Sequence, residues 1–136
     1  MKSVRQPAAK RVLIVDDERA IADTLALILE QAGYQTSAAY SGESAIVVAN
    51  TVAPSLIISD IQMPGIDGIA SSLKIRKLIP NCSVILFTGC PEAHAERAKK
   101  HGFNLLSKPL SPEVLLKHVH NELQDHLAKG KSVGKR

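Results

Sequence analysis

Residues 56–68 read LIISDIQMPGIDG, which is an apolar run followed by an acidic residue, a turn and the start of a helix. The run Leu56–Ile58 does not alternate polar with apolar residues, which is typical of a strand buried on both faces of a parallel sheet. The Met-Pro-Gly sequence at 63–65 is a turn signal. From Asp67 to Leu78 the sequence has the period of a helix, with Ile69 on its apolar face. The stretch therefore predicts one strand–turn–helix unit.

The same unit recurs along the chain. Apolar runs predict further strands at Val12–Val15 and Val84–Phe87, and weaker candidates lie at Tyr34–Tyr40 and Phe103–Leu106. Each predicted strand is followed by a stretch with helical features. Five strands alternating with five helices predict an α/β fold in which right-handed crossovers cover both faces of a parallel sheet.

The ends of the remaining helices are marked by capping signals. The first helix is predicted to follow Asp17 and to end at Gly33, the second to span 41–49, and the fourth to span 91–101 and to stop at Gly102. A fifth is predicted to begin at Ser111 and Pro112. Its apolar face consists of residues at four-residue spacing, namely Leu115, Val119, Leu123 and Leu127.

The basic residues are concentrated at the two ends of the chain. The formal net charge is +4, from 17 Lys and Arg against 13 Asp and Glu. Residues 1–11 and 129–136 each carry four basic residues and no acid, which leaves 12–128 with 9 basic and 13 acidic residues, a net charge of −4. We therefore predict one domain over residues 11–128, flanked by basic tails at 1–10 and 129–136.

Composition argues against several functional classes. No stretch approaches the ~20 apolar residues of a membrane helix, and the N-terminus lacks the apolar run of a signal peptide. We therefore expect a cytoplasmic protein without a membrane partner. Two Tyr, two Phe and no Trp offer little for stacking on bases, so a nucleic-acid partner is disfavoured. Cys82 and Cys90 are expected to be reduced, and the protein to be a monomer or a weak dimer.

Polar side chains follow four of the predicted strands at the point where each ends. Asp16 and Asp17 follow the first strand, Asp60 the third, Thr88 the fourth and Lys108 the fifth. The carboxyl ends of parallel strands lie at one edge of the sheet, where ligands bind beside the point at which strand order reverses. We therefore expect these five residues to converge on one crevice.

The converging residues have the chemistry of phosphoryl transfer. Three neighbouring carboxylates repel one another unless a cation is present, and Mg²⁺ favours such oxygen ligands. Asp17 and Asp60 are candidate direct ligands, whereas Asp16 can act through a water. A carboxylate such as Asp60 can also attack phosphorus, while Lys108 and Thr88 can stabilise the transferring oxygens.

Each of these features alone has a simpler structural explanation. An acidic pair after a strand is often a helix N-cap, and Lys-Pro or Met-Pro-Gly is often a surface turn. Their occurrence together at successive strand ends favours a functional site.

The combination of motifs resembles the receiver domain of two-component response regulators, including the single-domain chemotaxis regulators. The matching pieces are LIVDDE at 13–18, the D-x-x-M-P-x-x-D-G pattern at 60–68, FTG at 87–89, and Lys108-Pro109. The resemblance covers residues 11–128. It implies a flavodoxin-like (βα)5 sandwich with a five-stranded parallel sheet of order 2-1-3-4-5.

The resemblance also implies roles for individual residues. Asp60 is the phosphoacceptor, Asp16 and Asp17 belong to the Mg²⁺ pocket, and the Gln62 carbonyl is a further metal ligand. Thr88 and Lys108 contact the phosphoryl group. The Lys108–Pro109 bond is expected to be cis. The phosphoryl donor is a phosphohistidine on a histidine kinase or phosphotransfer protein, and the downstream target is a protein that the sequence does not identify.

The sequence departs from the family pattern near its predicted output surface. The family commonly has Tyr or Phe three residues before the conserved lysine, whereas this chain has Leu105. Phe103, two residues earlier on the same strand face, is a candidate substitute. Gly89 stands where Ala or Ser is frequent, and the segment from Gly102 to Lys108 is one residue shorter than usual.

The sequence is compatible with three hypotheses for the function of the protein. The leading hypothesis is a phosphorylation-controlled interaction module that is not an enzyme, in which phosphorylation exposes the surface of the fourth helix, fifth strand and fifth helix. A receiver-like scaffold that does not need phosphate is favoured by Leu105 but not by the intact Asp60, Thr88 and Lys108. A phosphatase of the haloacid dehalogenase type is disfavoured. Those enzymes have a D-x-D motif at the first strand, whereas this chain has Asp16-Asp17-Glu18.

Overall fold

The computed structural model describes residues 8–134, with side chains over 10–124, and contains five strands alternating with five helices. The strands are β1 (Ala8–Val15), β2 (Gln35–Ala39), β3 (Pro54–Asp60), β4 (Ser83–Thr88) and β5 (Asn104–Ser107). The helices are α1 (Arg19–Gln31), α2 (Gly42–Val52), α3 (Gly68–Leu78), α4 (Pro91–Lys100) and α5 (Pro112–Gly134). The alternation of strands and helices predicted from the sequence is confirmed.

All five strands form one parallel sheet in the order β2-β1-β3-β4-β5. This order confirms the flavodoxin-like (βα)5 prediction. The chain moves from β1 outward to β2 and then returns to the other side of β1 as β3, so strand order reverses between β1 and β3. Val15 pairs with Ser59 at this point, and Asp16 and Asp60 follow them side by side. The fold thus places a crevice where the acidic residues lie.

Two apolar layers cover the sheet because neighbouring residues of each strand point to opposite faces. One layer packs Leu13 and Ile57 of the sheet against α2, α3 and α4. The other packs Ile14 and Ile58 against α1 and α5. Every residue of β3 is buried, as expected for a central strand whose apolar residues do not alternate with polar ones.

The helices differ in how firmly they are anchored. Helix α1 buries Ala22, Leu25 and Leu29, whereas α4 buries only Ala98 among its residues. Helix α4 ends at Lys100, Gly102 two residues later has a φ of +73°, and the Phe103 N–H donates to the Ala98 carbonyl at 2.9 Å. Within the described residues, no helix is long and apolar enough to cross a membrane.

Gly33 lies two residues after the end of α1 and has the same kind of left-handed backbone as Gly102. Its φ is +100°, its N–H donates to the Glu30 carbonyl at 3.0 Å, and the Tyr34 N–H donates to the Leu29 carbonyl at 3.1 Å. These two bonds satisfy carbonyls that would otherwise lack a partner at the helix end. The predicted C-terminal glycine is confirmed.

Replacing Gly33 with Ala is expected to lower the free energy of unfolding by about 1 kcal/mol. An added Cβ would meet no atom within 4 Å, so the cost comes from the left-handed backbone alone. Urea denaturation of the two proteins measures it. An unchanged or higher free energy of unfolding would contradict this account of the helix end.

Several boundaries differ from those expected from the sequence. Strand β1 begins at Ala8, inside the predicted tail at 1–10, because Ala8 pairs with Pro54 beyond an irregularity at Lys10, whose φ is 60°. Helix α5 continues to Gly134, inside the predicted tail at 129–136. The predicted apolar position Leu127 lies outside the residues whose side chains are described.

Candidate functional site

An acidic cluster lies at the carboxyl ends of β1 and β3. Asp16 and Asp17 follow β1, Asp60 ends β3, and one carboxylate oxygen from each lies within 4.8 Å of the others. Asp16 is fully buried and Asp60 nearly so, whereas Asp17 is exposed. The fold therefore brings together the three carboxylates predicted from the sequence, and one side of the cluster is open to solvent.

Lys108 provides the positive charge of this site. Its Nζ lies 3.3 Å from Oδ1 of Asp60 and 3.8 Å from Oδ2 of Asp16. The Lys108 N–H donates to the Thr88 carbonyl at 2.9 Å, and the Lys108–Pro109 bond is cis, as the resemblance implied. The loop after β5 is thus fixed to the end of β4, with the ammonium group directed at the two buried carboxylates.

Burial makes ionisation of these carboxylates unfavourable. It raises the pKa of Asp16 to about 6, although the Glu18 N–H, which donates to Asp16 Oδ1 at 2.9 Å, lowers it. Burial also raises the pKa of Asp60, and the charge of Lys108 opposes that rise. The cluster contains three carboxylates, and the ammonium group of Lys108 contacts two of them, so the ionised cluster has an excess of negative charge.

The donor set fits a divalent metal ion with a preference for oxygen. Oδ2 of Asp16 is buried and has no hydrogen-bond partner. Asp16 belongs to the acidic cluster, in which Asp17 is exposed to solvent. Carboxylate oxygens with room for water suit Mg²⁺. Gln62, whose carbonyl was predicted as a further ligand, is exposed in the loop after β3. Its role stays a prediction.

Thr88 is buried at the end of β4, at the same edge of the sheet. Its Oγ1 accepts a hydrogen bond from the Cys90 N–H at 3.0 Å. Because Oγ1 is the acceptor in that bond, its own proton is available for donation to a group in the crevice.

The backbone around Asp60 is tightly enclosed, which the sequence analysis missed. Ser59 Oγ donates to the Asp60 carbonyl at 2.8 Å, and the Gly68 N–H donates to the Ile61 carbonyl at 2.8 Å. A Cβ on Gly68 would overlap the Asp60 carbonyl oxygen and lie 2.8 Å from Ser59 Oγ. The glycine that ends the D-x-x-M-P-x-x-D-G pattern is the sequence signal from which this close approach could have been predicted.

The departure at Leu105 places an aliphatic side chain where the family commonly has an aromatic. Leu105 is half-buried against the apolar layer of α2, α3 and α4. Phe103 is buried just before β5 begins, with the Arg76 guanidinium 5.4 Å from its ring centre and the His101 ring centre 5.8 Å away. Phe103 lies at the opposite end of β5 from Lys108, but it belongs to the same apolar layer as Leu105. Its role as a substitute for the usual aromatic stays a prediction.

The sequence model of the response regulator receiver domain matches residues 12–120. The chain therefore belongs to this family, whose members act in two-component signalling. A CheY-like receiver domain protein from Methanospirillum hungatei is similar at 28% identity, with a TM-score of 0.84 over 90% of this chain and 99% of that one.

Two further solved structures support the same family. The chemotaxis response regulator CheY4 of Vibrio cholerae shares 30% identity, with a TM-score of 0.75 over 85% of this chain and 99% of that one. The receiver domain of a signal transduction histidine kinase from Syntrophus aciditrophicus shares 34% identity, with a TM-score of 0.74 over 85% and 90%. Similar domains thus occur both as chemotaxis regulators and within kinases.

Proposed function

We propose that this protein is a single-domain response regulator that accepts a phosphoryl group on Asp60 from a phosphohistidine of a histidine kinase or phosphotransfer protein. The observation that carries the proposal is the position of Asp60, whose carboxylate lies 3.3 Å from the Lys108 ammonium and within the three-carboxylate cluster. A nucleophile, a counter-charge and metal ligands are therefore close together.

The proposed step uses each of these groups. An oxygen of Asp60 forms a bond to phosphorus while the bond between phosphorus and the donor nitrogen breaks, and the electron pair of that bond stays on the imidazole. Lys108 balances the charge on the phosphoryl oxygens, and Thr88 donates its hydroxyl proton to one of them. Mg²⁺, held by Asp16, Asp17, Asp60 and the Gln62 carbonyl, would neutralise charge on the transferring oxygens.

The proposed output is a change in a surface that binds a downstream protein. Phosphorylation shifts the population of two arrangements of α4, β5 and α5. The protein acts in the cytoplasm as a monomer or weak dimer, and it is a phosphoacceptor rather than an enzyme acting on other substrates.

Leu105 favours one alternative, a receiver-like scaffold that works without phosphate.

Incubation with Mg²⁺ and acetyl phosphate is expected to add one phosphoryl group to the wild-type protein, as measured by intact mass spectrometry. Asp60→Asn is expected to gain none, because an amide is a poor nucleophile. Asp23→Asn, which removes an exposed carboxylate from α1, is the matched control and is expected to behave like wild type.

Two results would contradict the proposal. If wild type gains no phosphoryl group, the scaffold is favoured. If Asp60→Asn gains as much as wild type, the acceptor is another residue. Rapid hydrolysis of many phosphoesters without a persistent adduct would instead indicate a phosphatase.

A further inference from the structure

The loop between β3 and α3, residues 61–67, is held from two sides by helices that contribute no residue to the acidic cluster. Helix α2 contacts it through Glu43, and helix α4 contacts it through Arg97. The loop contains Gln62, whose carbonyl we propose as a metal ligand. Its path therefore determines where that carbonyl lies relative to Asp60.

The contact from α2 is close. Oε2 of Glu43 accepts a hydrogen bond from the Ile66 N–H at 3.3 Å. A Cβ on Gly65 would lie 2.6 Å from the same oxygen, and one on Gly42 would lie 2.7 Å from the Ile66 carbonyl oxygen. Gly65 also has a φ of +82°. The loop thus turns directly against the first turn of α2, and glycines stand at both points of approach.

The contact from α4 is a bidentate ion pair. Nη1 of Arg97 lies 2.8 Å from Oδ2 of Asp67, and Nη2 donates to Oδ1 at 3.3 Å. The same Oδ1 accepts from the Ala70 N–H at 2.8 Å, so Asp67 also caps α3. Burial alone would raise the pKa of Asp67, but the hydrogen bonds from Arg97 and Ala70 hold it below its ordinary value.

We propose that Glu43 and Arg97 are positioning residues for the metal site. The inference rests on the function proposed above. Neither side chain belongs to the acidic cluster. Glu43 accepts a hydrogen bond from the loop backbone at Ile66, and Arg97 pairs with the side chain of Asp67 at the end of the loop. Together they hold the loop between Asp60 and Gly68 in the path that presents the Gln62 carbonyl to the metal. Mutation of a group that orients a metal ligand typically lowers the affinity for the metal by about 10- to 100-fold.

The expected effect separates positioning from stability. Glu43 and Arg97 are both exposed, so the hydrogen bond that Glu43 accepts and the ion pair that Arg97 forms are expected to contribute little to folding. Glu43→Ala and Arg97→Ala are therefore each expected to raise the half-saturating Mg²⁺ concentration by about 10-fold. The phosphorylation rate at saturating Mg²⁺ and the melting temperature are expected to change little. A general loss of structure would lower all three properties together.

The test uses the full chain and two measurements. The initial rate of phosphorylation by phosphoramidate is measured against Mg²⁺ concentration, and Mg²⁺ binding alone is measured by isothermal titration calorimetry. Glu43→Gln is expected to restore wild-type values, because its amide oxygen can accept from the Ile66 N–H. Arg76→Ala is the matched control for Arg97→Ala. It also removes an arginine, but the contacts of Arg76 are with His101 and Phe103 and not with the 61–67 loop.

An unchanged half-saturating Mg²⁺ concentration in Glu43→Ala and Arg97→Ala would overturn the proposal, as would a Glu43→Gln protein that is as impaired as Glu43→Ala. Calorimetry needs no phosphoryl transfer. If wild type binds Mg²⁺ but is never phosphorylated, while the two alanine variants bind it more weakly, the phosphoacceptor function fails and the positioning role stands.

Discussion

Gly68→Ala is expected to destabilise the protein by at least about 3 kcal/mol, a large value for a change of one methyl group. The reason is that a Cβ at this position overlaps the Asp60 carbonyl oxygen and lies 2.9 Å from the Asp60 carbonyl carbon. These are backbone atoms of a buried central strand, which cannot move aside as a flexible side chain could. Relief requires that α3 or the end of β3 shift, and either movement displaces Asp60.

Urea denaturation of Gly68→Ala measures this loss, and the acetyl phosphate assay measures the expected fall in phosphorylation rate. Gly89→Ala is the matched control. Gly89 lies at the same edge of the sheet, directly after β4, and an added Cβ there meets no atom within 4 Å. Gly89→Ala is expected to change the free energy of unfolding by less than about 0.5 kcal/mol. Equal effects of the two substitutions would show that the backbone overlap is not the cause.

Without metal, Asp16→Asn is expected to be more stable than wild type at pH 7, by about 3 kcal/mol. Burial raises the pKa of Asp16 from 3.8 to about 6. The folded state therefore binds a proton more tightly than the unfolded state, and wild type loses stability as pH rises from about 4 to about 6. An uncharged Asn keeps an oxygen that can accept from the Glu18 N–H but has no charge to bury.

The measurement is the difference in free energy of unfolding between the two proteins at several pH values in EDTA. The difference is expected to be near zero at pH 4 and to grow up to pH 7. Saturating Mg²⁺ is expected to reverse the order, because it binds the folded wild-type site and stabilises it. Asp23→Asn controls for removal of a surface charge. A difference that does not vary with pH would contradict the assignment to Asp16.

Much of the fold follows from short-range patterns. The runs at 12–15, 56–58 and 84–87 are continuous in apolar residues, and this pattern is enough to identify central strands of a parallel sheet. The limits of β1 and α5 were less predictable. Strand β1 extends back to Ala8 through pairing with Pro54, which is far away in the sequence. No local pattern carries that information.

The same distinction applies to the site. The acidic residues, Thr88 and Lys108 could be predicted because a strand end is a local feature and parallel strands share one edge. The enclosure of Asp60 by Ser59 had only the glycine at position 68 as a signal, and the contacts of Glu43 and Arg97 with the loop had none. They depend on how α2, α3 and α4 pack, and an exposed Glu or Arg in the first or last turn of a helix has many other uses.

Helix α4 packs on the sheet through the small buried side chain of Ala98, and its Arg97 forms an ion pair with Asp67, the residue that caps α3. Few buried apolar contacts mean a low free energy of local opening, so its amide hydrogens can exchange with solvent while β4 and β5 stay closed. The mobility that a signalling surface requires would then come from the small amount of apolar area that α4 buries, rather than from an aromatic side chain at position 105.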